Sequence, residues 1–496
     1  MEALRRASPQ PTRLGNVEGY HVENFGCRAS HADGDALVAE LSRGGENAVS
    51  AADAALVVLN TCAVTAEAER TARAYLRRVK RENPQARVVV TGCYAQRAPE
   101  EVARLAGVDA VVGNSHKGLL AQVAARMRRA GDPGLPVQAG FVALGDVAGA
   151  TGVPVLVDDR FAHANLAAED LAASGDTRPN LKVQDGCGNR CSFCIIPTTR
   201  GGSRSVPLDT VLERVWRFVE AGGKELVLSG INLGRWGRDL ASSNPKQPAR
   251  FENLVAAILG RTKLPRLRIS SVEPMDWSAD LLALYRQYGR MDAAKTGPRL
   301  ARHAHLPLQS GSDEILRAMH RRYRPWHYAE KLAAIREAMP EAAIGADVMV
   351  GFPGETDALF EESHRFIEEQ PFTYLHLFPF SARPGTVAWR LAQERPVPGE
   401  RVHGRMARLR SLVEEKQAAF RRRAGEGRLP VVTLKAGDAH RGRRVTPALS
   451  DNFLPIEIAG EFPANQMRWV AVSHLNRNGD GSAPAWRVVP MDEAPF

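Results

Sequence analysis

The chain has 496 residues, of which 44% are hydrophobic and 25% are charged. A chain of this length is too long for one hydrophobic core, so the composition predicts a globular protein of two or three domains. No apolar run reaches the roughly 18 residues of a membrane-spanning helix, and no apolar segment follows the basic first residues as in a secretory signal. We therefore expect a cytoplasmic protein.

The net charge of +10 favours a polyanionic partner such as nucleic acid. Many soluble enzymes carry a similar excess of Lys and Arg without such a partner, so the charge alone does not separate the two interpretations. The net charge becomes informative only together with a more specific sequence motif.

Residues 18–130 alternate between short apolar runs and helical patterns. Strands followed by helices predict parallel βαβ units and hence a doubly wound parallel sheet. Residues 131–176 are rich in Ala, Gly, Asp and Pro without a long period, which predicts a connector with an edge element. The predicted strands of the N-terminal part are 19–25, 54–59, 87–90 and 109–112, and its predicted helices are 33–43, 66–82, 99–106 and 116–129.

The same alternation resumes at residue 181 and continues to about residue 395. Six βα units are too few for an eight-fold barrel but suit an open, partial (β/α)6 barrel. A charged helix is predicted over 399–424, and short β-like runs within 428–490 predict a small β-barrel. The central strands are predicted at 181–185, 224–229, 266–272, 303–308, 343–350 and 373–380, and the central helices at 208–221, 251–261, 278–287, 326–338 and 356–368.

The predicted α/β fold therefore has four parts in chain order. They are the doubly wound sheet over 18–130, the connector over 131–176, the partial barrel over 177–415 and the small C-terminal β-barrel over 416–490.

The six cysteines fall into two sets of three. Thiols stay reduced in the cytosol, and clustered reduced thiols usually bind metal. Cys187, Cys191 and Cys194 form a C-x3-C-x2-C motif just after a predicted strand. Three thiolates at this spacing hold three irons of a cubane cluster and leave the fourth iron open to a ligand. The alternative is a structural zinc knuckle, for which the nearest fourth ligand, His163, lies in the connector.

This motif after a first barrel strand resembles the radical S-adenosylmethionine superfamily. The resemblance implies that S-adenosylmethionine binds the open iron and is cleaved to a 5′-deoxyadenosyl radical, with Cys187, Cys191 and Cys194 as the catalytic residues. Glycine-rich segments after three further strands are the expected cofactor-binding positions, because glycine lets a ligand approach the backbone. Each segment would also suit an ordinary turn. The candidates are Gly230, Asn232, Gln309, Ser310, Gly351 and Gly354.

Cys27, Cys62 and Cys93 are too far apart in sequence for a short metal motif, yet each follows a predicted strand. The carboxyl ends of parallel strands share one edge of a sheet, so the three cysteines can meet there. The alternative is three buried structural thiols, but core cysteines lie inside strands rather than beyond their ends. We therefore predict a second metal-binding set that holds a second cluster.

Two such sets in this order resemble the methylthiotransferase family, and the resemblance covers the chain apart from residues 1–17 and 131–176. It implies two [4Fe-4S] clusters and S-adenosylmethionine as cofactors, with the N-terminal cluster presenting sulfur that a second S-adenosylmethionine methylates. The flanks NTCAVT of Cys62 and VTGCYAQ of Cys93 look most like the branch that adds a methylthio group to C2 of N6-threonylcarbamoyladenosine beside the tRNA anticodon.

Three alternatives stay open. Sister branches modify isopentenyladenosine in tRNA or an aspartate of a ribosomal protein, and the excess basic charge mildly disfavours the protein substrate. A non-catalytic RNA-binding iron–sulfur protein is disfavoured by the open-coordination motif. By resemblance, the expected partners are tRNA and an electron donor such as a flavodoxin or ferredoxin, with neither a membrane nor DNA.

Two predicted helices, 66–82 and 399–424, carry many basic residues. Such runs are usually solvated faces, but beside a TRAM-like RNA-binding β-barrel, which the resemblance implies for 416–490, contact with RNA phosphates is the better interpretation. The residues are Arg70, Arg73, Arg77, Arg78, Lys80 and Arg81, and Arg401, Arg405, Arg408, Arg421, Arg422 and Arg423.

Overall fold

The computed structural model describes residues 19–45, 47–128, 152–161, 164, 171, 176–240, 249–290, 297–424, 427–436, 444–471 and 486–490. Most of the predicted connector and the candidate ligand His163 therefore lie outside the described residues. Among the helices in these ranges, none combines the length and the apolar character that crossing a bilayer requires.

Five parallel strands form the N-terminal sheet. In spatial order they are β1 (Tyr20–Asn24), β2 (Leu56–Thr61), β3 (Arg87–Gly92), β4 (Ala110–Gly113) and β5 (Val155–Leu156). The short β5 is the edge element expected in the connector. The helices of this part are α1 (Arg28–Arg43), α2 (Ala66–Glu82), α3 (Cys93–Arg97), α4 (Pro99–Ala103) and α5 (Leu120–Arg128).

Helices cover both faces of this sheet, which confirms the doubly wound arrangement. On one face α1 and α5 pack Leu37 and Val123 against the strands, and on the other α2 packs Leu76. A bridge from Tyr20 to Ala48 extends the sheet beyond β1, so the chain passes along the outer side of β1 before it forms β2. The loops after β1 and β2 thus lead to opposite faces, which opens a crevice at their carboxyl ends.

The central part contains six parallel strands with a short antiparallel strand at one edge. They are β6 (Asn180–Asp185), β7 (Arg204–Ser205), β8 (Glu225–Gly230), β9 (Arg266–Ile269), β10 (His303–His305), β11 (Ala343–Val350) and β12 (Tyr374–Pro379). The helices are α6 (Ile196–Arg200), α7 (Leu208–Glu220), α8 (Phe251–Arg261), α9 (Ala279–Tyr288), α10 (Asp313–Ala318), α11 (Pro325–Ala338), α12 (Asp357–Glu369), α13 (Val387–Glu394) and α14 (Gly399–Ala424).

The parallel strands form an open, partial (β/α)6 barrel, as predicted. β6, β8 and β9 pair in that order, and so do β10, β11 and β12. Single bridges from Leu267 to Leu300 and from Ser271 to His305 join β9 to β10. The antiparallel β7 occupies the outer edge of β6, so in the described ranges no strand pairing connects β6 to β12.

Alternate residues of the central strands separate an apolar outer face from a polar interior. Leu226 and Leu228 of β8 belong to the large core beneath the surrounding helices. Glu225 and Ser229 are buried on the opposite face of the same strand, because successive side chains of a strand point to opposite sides. The interior is therefore built to hold charged and polar groups.

Five strands close into a small C-terminal barrel, which confirms the last part of the predicted fold. They are β13 (Arg428–Thr433), β14 (Val445–Ser450), β15 (Pro455–Ala459), β16 (Met467–Ala471) and β17 (Trp486–Pro490), in the order β13-β14-β15-β17-β16. The boundary predicted between residues 415 and 416 falls inside α14. The division into four domains stays a prediction.

Buried arginines fasten the C-terminal barrel to the central part. Arg268 of β9 donates to the backbone oxygens of Ser450 (2.9 Å) and Asp451 (3.1 Å). Arg302 donates to the Asp451 carboxylate, which is fully buried. The ring of Phe453 lies 4.5 Å from that of His303. The small barrel thus completes one end of the polar interior.

Glu225 anchors this interior and supplies the first prediction. Its carboxylate contacts Arg178 (2.7 Å), Arg268 (2.8 Å) and Arg266 (3.4 Å) with no exposed surface. Burial alone would raise the pKa of Glu225, but the three guanidinium groups hold it well below its usual value. We expect Glu225→Gln to lower the free energy of unfolding by about 3 kcal/mol or more, because three buried cations lose their shared counter-charge. Urea denaturation measures this change.

The control is Glu213→Gln, which removes an exposed carboxylate that pairs with Arg217. It should change the free energy of unfolding by less than about 1 kcal/mol. The stabilising charge of Glu225 is present above the unfolded pKa of about 4.3 and is lost as pH falls towards the native value. The difference in the free energy of unfolding between wild type and Glu225→Gln should therefore become smaller as the pH is lowered. Equal effects of the two substitutions would contradict the role of Glu225.

Candidate functional site

The C-x3-C-x2-C cysteines lie on the loop between β6 and α6. Gly186 turns the chain into this loop with φ of 72°, and a Cβ there would lie 2.0 Å from a backbone oxygen, so only glycine fits. The amide of Cys187 donates to the Gly201 carbonyl (3.0 Å), and that of Cys194 to the Cys191 carbonyl (3.1 Å). The three thiols lie close enough to interact electrostatically.

Nitrogen donors point at the sulfurs of this set. Asn232 Nδ2 lies 3.4 Å from Cys187 Sγ, and the amide of Asn189 lies 3.4 Å from the same atom. Arg321 Nη1 lies 3.3 Å from Cys191 Sγ. Such N–H groups stabilise thiolate ligands and tune the potential of a cluster. The sequence indicated Asn232 but not Arg321.

Arg321 is held firmly in this position. Its other groups donate to Glu273 and, over 3.1 Å, to the hydroxyl of Tyr323. Tyr323 in turn donates to the Leu308 carbonyl (2.8 Å), next to the end of β10. The guanidinium is therefore a fixed positive charge against one cysteine of the set.

The cysteines of the N-terminal set meet at the crevice of the doubly wound sheet. Cys27 precedes α1 as its cap residue, Cys62 follows β2 directly, and Cys93 begins α3 after β3. A Cβ at Gly26 would lie 2.5 Å from the Cβ of Cys62, so the loops after β1 and β2 touch. Asn114 Nδ2 lies 3.3 Å from Cys93 Sγ. The structure thus brings together the three cysteines that the sequence predicts to meet.

The donor sets fit iron–sulfur clusters better than single zinc ions. Burial raises the pKa of Cys62 and of Cys194 to about 12, so a bound metal must displace their protons and supply the compensating charge. In neither set do all three sulfurs lie within 4.8 Å of one another. Thiolates around one zinc ion, at about 2.3 Å each, would lie roughly 4 Å apart. In a cubane each thiolate binds a different iron, which suits the wider spacing.

A buried ionic network lies between the two sets. Asp33 of α1 accepts from Lys117 (2.8 Å) and Arg200 (3.0 Å), and also contacts Lys182 of β6. Burial alone would raise the pKa of Asp33, but these cations hold it well below its usual value. Arg200 also donates to Asp185, the residue before the turn into the cysteine loop, and interacts electrostatically with two cysteines of the N-terminal set. One guanidinium therefore interacts with the N-terminal set directly and with the other cysteine loop through Asp185.

Buried polar atoms without partners surround the carboxyl ends of β8 and β10. Ser229 Oγ, Asn232 Oδ1, His305 Nε2 and Gln309 Oε1 have no hydrogen-bond partner among the described residues. Buried polar groups are nearly always paired in native proteins, so these atoms indicate the place of a polar ligand. A Cβ at Gly230, which ends β8, would lie 3.0 Å from Gln184 Oε1. This interior space, called the chamber below, suits S-adenosylmethionine beside Cys187.

The other predicted cofactor residues make contacts within the protein. The hydroxyl of Ser310 pairs with that of Ser363 on α12 at 2.7 Å. Gly351 and Gly354 adopt left-handed turns with φ of 80° and 86°, and a Cβ at Gly351 would lie 2.5 Å from Val402 of α14. These contacts explain the residue types by the fold, and a cofactor role for the three residues stays a prediction.

The chain matches two family descriptions: "Uncharacterized protein family UPF0004" over residues 19–113 and the radical SAM superfamily over residues 181–367. Similar relatives include two proteins named threonylcarbamoyladenosine tRNA methylthiotransferase MtaB. That of Bacillus subtilis (strain 168) is 31% identical over 88% of this chain and 89% of its own. That of Aquifex aeolicus (strain VF5) is 34% identical over 80% and 88%. The chain belongs to the methylthiotransferase family of radical S-adenosylmethionine enzymes.

Other relatives of similar identity have a different name. The tRNA-2-methylthio-N(6)-dimethylallyladenosine synthase of Syntrophobacter fumaroxidans (strain DSM 10017 / MPOB) is 32% identical over 82% of each chain. Among solved structures, the radical S-adenosylmethionine methyltransferase TsrM from Kitasatospora setae is similar, with a TM-score of 0.51 and 16% identity over 77% of this chain and 76% of that one. The likeness to TsrM shows the fold alone.

Family membership means that the central part binds S-adenosylmethionine and a [4Fe-4S] cluster. Together, when bound, they supply a 5′-deoxyadenosyl radical. The chain's own contribution is the loop that presents Cys187, Cys191 and Cys194, the donors that point at their sulfurs, and the polar chamber beside them. The other cysteine set opens on the crevice of the neighbouring sheet.

Arg321 supplies the second prediction. Arg321→Gln removes a fixed positive charge at 3.3 Å from Cys191 Sγ. The reduced cluster is the more negative state, so its reduction potential should become more negative, on the order of tens of millivolts. An EPR-monitored redox titration measures the shift. Arg317→Gln, which removes an exposed arginine paired with Asp313, is the control and should leave the potential unchanged. An unchanged potential in Arg321→Gln would show that this guanidinium does not tune the cluster.

Proposed function

We propose that this enzyme adds a methylthio group to C2 of N6-threonylcarbamoyladenosine beside the anticodon of tRNA, with a [4Fe-4S] cluster on each cysteine set. The observation that carries the proposal is the pair of three-cysteine sets at the carboxyl ends of two adjoining parallel sheets, linked through Arg200 and Asp33. The names of the Bacillus and Aquifex relatives support the substrate.

The reaction itself calls for two metal sites. The hydrogen on C2 of adenine is too weakly acidic for a side-chain base at neutral pH, so radical chemistry at the Cys187 set is the suitable route. The product also needs sulfur, which a cluster on Cys27, Cys62 and Cys93 would present. What the protein adds is charge compensation by Arg200 and exclusion of water by the buried strand ends.

A cleft between the central part and the C-terminal barrel supports RNA as the substrate. It has a volume of about 230 Å³ and is lined by Tyr374 and His376 of β12, Phe420 and Arg421 of α14, and Phe453. Aromatic rings beside an arginine are the usual surroundings of an unstacked base in a single-stranded RNA loop. The cleft adjoins the chamber, because the ring of Tyr374 lies 5.9 Å from that of His305.

The basic helices support RNA binding less uniformly than the sequence indicates. Arg405 is a correction: it is buried and pairs with Glu355 and Asp357, so it cannot reach a phosphate. Several others form surface ion pairs, as Arg408 does with Glu361. Of the arginines named above on these two helices, the exposed ones without an ion-pair partner in the described ranges, and thus the best candidates for phosphate contact, are Arg77, Arg78, Arg422 and Arg423.

Two clusters give a third prediction. Anaerobically reconstituted enzyme should bind about eight irons, and replacing either cysteine set by alanine should leave about four, because each set would ligate one cubane. Iron analysis with Mössbauer spectroscopy measures both numbers. Arg200 is left unchanged in these variants, because it interacts with the N-terminal set and with Asp185 before the other set. Retention of all eight irons by either triple variant would contradict the two-cluster proposal.

The substrate gives a fourth prediction. Enzyme incubated with tRNA that carries threonylcarbamoyladenosine should form its 2-methylthio derivative, detected by nucleoside mass spectrometry, and tRNA that lacks the modification should give none. Phosphate contacts position RNA without choosing the base, so the discrimination must arise around the modified nucleotide. Product on isopentenyladenosine alone, as the name of the Syntrophobacter relative suggests for that protein, would contradict the assignment.

A further inference from the structure

Arg28, the first residue of α1, carries a charge that no group in the described part of the chain balances. It follows Cys27 directly, and α1 packs against β6 and β8 of the central part. Within the described ranges its guanidinium has no ion pair and no hydrogen bond. The side chain is accessible to solvent, yet enough protein surrounds it to lower its pKa. An unpaired arginine that is surrounded by protein but accessible to solvent is well suited to bind an anion.

The charge of Arg28 faces the interior of the partial barrel. It interacts electrostatically with Tyr374 and Arg268, and with His303 and His305. These residues lie on β12, β9 and β10, which are the inner walls of the chamber. Arg28 thus lies next to the N-terminal cysteine set and within electrostatic range of the inner walls of the chamber.

Tyr374 forms a rigid wall of this space. Its hydroxyl lies 2.6 Å from His303 Nε2. A Cβ at Gly345 would lie 2.0 Å from the ring, so the ring covers β11 at a position where only glycine leaves room. The ring of His305 lies 5.9 Å away and that of His376 lies 5.4 Å away.

His305 is a second, independent sign of a ligand. Its Nδ1 pairs with Ser271 Oγ at 2.7 Å, which fixes the ring. Its Nε2 is buried and has no hydrogen-bond partner in the described part of the chain. The Asp347 carboxylate lies 3.5 Å from this nitrogen and 3.4 Å from His376 Nδ1, so imidazoles flank it on two sides. Arg268 is occupied by Glu225 and the backbone of the C-terminal barrel. Among the described residues, Arg28 is therefore the cation still available here.

We propose that Arg28 binds the carboxylate of the threonylcarbamoyl group and is a specificity-determining residue. The inference rests on the proposed function, because an unmodified adenine and an isopentenyladenine carry no such anion. An arginine–carboxylate contact is bidentate and directional, so it would hold the base with C2 at a set place in the chamber. Because Arg28 follows Cys27, this contact would bring C2 of the base close to the N-terminal set, whose cluster is proposed to present the sulfur.

The test pairs a change in the protein with the matching change in the substrate. Wild type, Arg28→Gln and Arg28→Lys are each assayed on an anticodon stem-loop that carries threonylcarbamoyladenosine and on one whose threonine carboxylate is a carboxamide. Wild type should prefer the carboxylate by about 10- to 100-fold in kcat/KM, mainly through KM, as expected for a charged hydrogen bond. Arg28→Gln should lose this preference, and Arg28→Lys should keep part of it. Iron content is measured for every variant.

The matched control is Arg43→Gln, which makes the same charge change at the last residue of α1, about 22 Å from Arg28 along the helix. It should keep the wild-type preference. Equal kcat/KM for the two stem-loops in wild type, or an equal preference in Arg28→Gln, would overturn the role of Arg28 and leave the proposed function intact. Wild type that forms product on neither stem-loop, but does so on isopentenyladenosine, would overturn the proposed function itself.

Discussion

The ion cluster around Asp33 is the constraint on which the arrangement of the two cysteine sets depends. Asp33 lies on α1 of the N-terminal sheet, whereas Lys182 and Arg200 come from the central part, and all three are buried. Removing one member of a buried network costs about 3 to 5 kcal/mol, because the remaining charges lose their partners. The two sheets are therefore fixed with their carboxyl ends together, which is the geometry that a reaction using both sets requires.

The same principle explains how the C-terminal barrel is attached. Its contact with the central part runs through Arg268 and Arg302, whose partners include the backbone at Ser450 and the carboxylate of Asp451. Cutting the chain after α14 would remove the backbone acceptors of Arg268 and the Asp451 carboxylate that Arg302 binds. Truncation would thus disturb the polar interior together with any RNA binding. Substitution of single exposed arginines separates the two effects.

The sequence predicted the fold class and the meeting of the cysteines because both follow from local patterns. Alternating strands and helices determine a parallel sheet, and residues placed after parallel strands must share its edge. It did not indicate Arg321, Arg200 or Arg28, since nothing in the sequence around an arginine shows which residues of other strands and helices it will approach in the folded chain. The glycine-rich context of Ser310 predicts a cofactor contact, and the fold adds what the sequence could not show, the hydrogen bonds of this loop to Ser363 of α12.

The distribution of charge indicates that different arginines contribute to RNA affinity and to selection of the modified nucleotide. The arginines at the end of α14 lie on the surface, where contacts with phosphate depend on salt and not on the base. In the proposed contact, Arg28 is reached by a nucleotide turned out of the RNA loop, at the cost of unstacking that base. A charged contact made at this last step discriminates between substrates that the surface binds equally. Since Arg28 follows Cys27 in the chain, the proposed recognition of the side group and the proposed sulfur transfer would both lie at the first turn of α1.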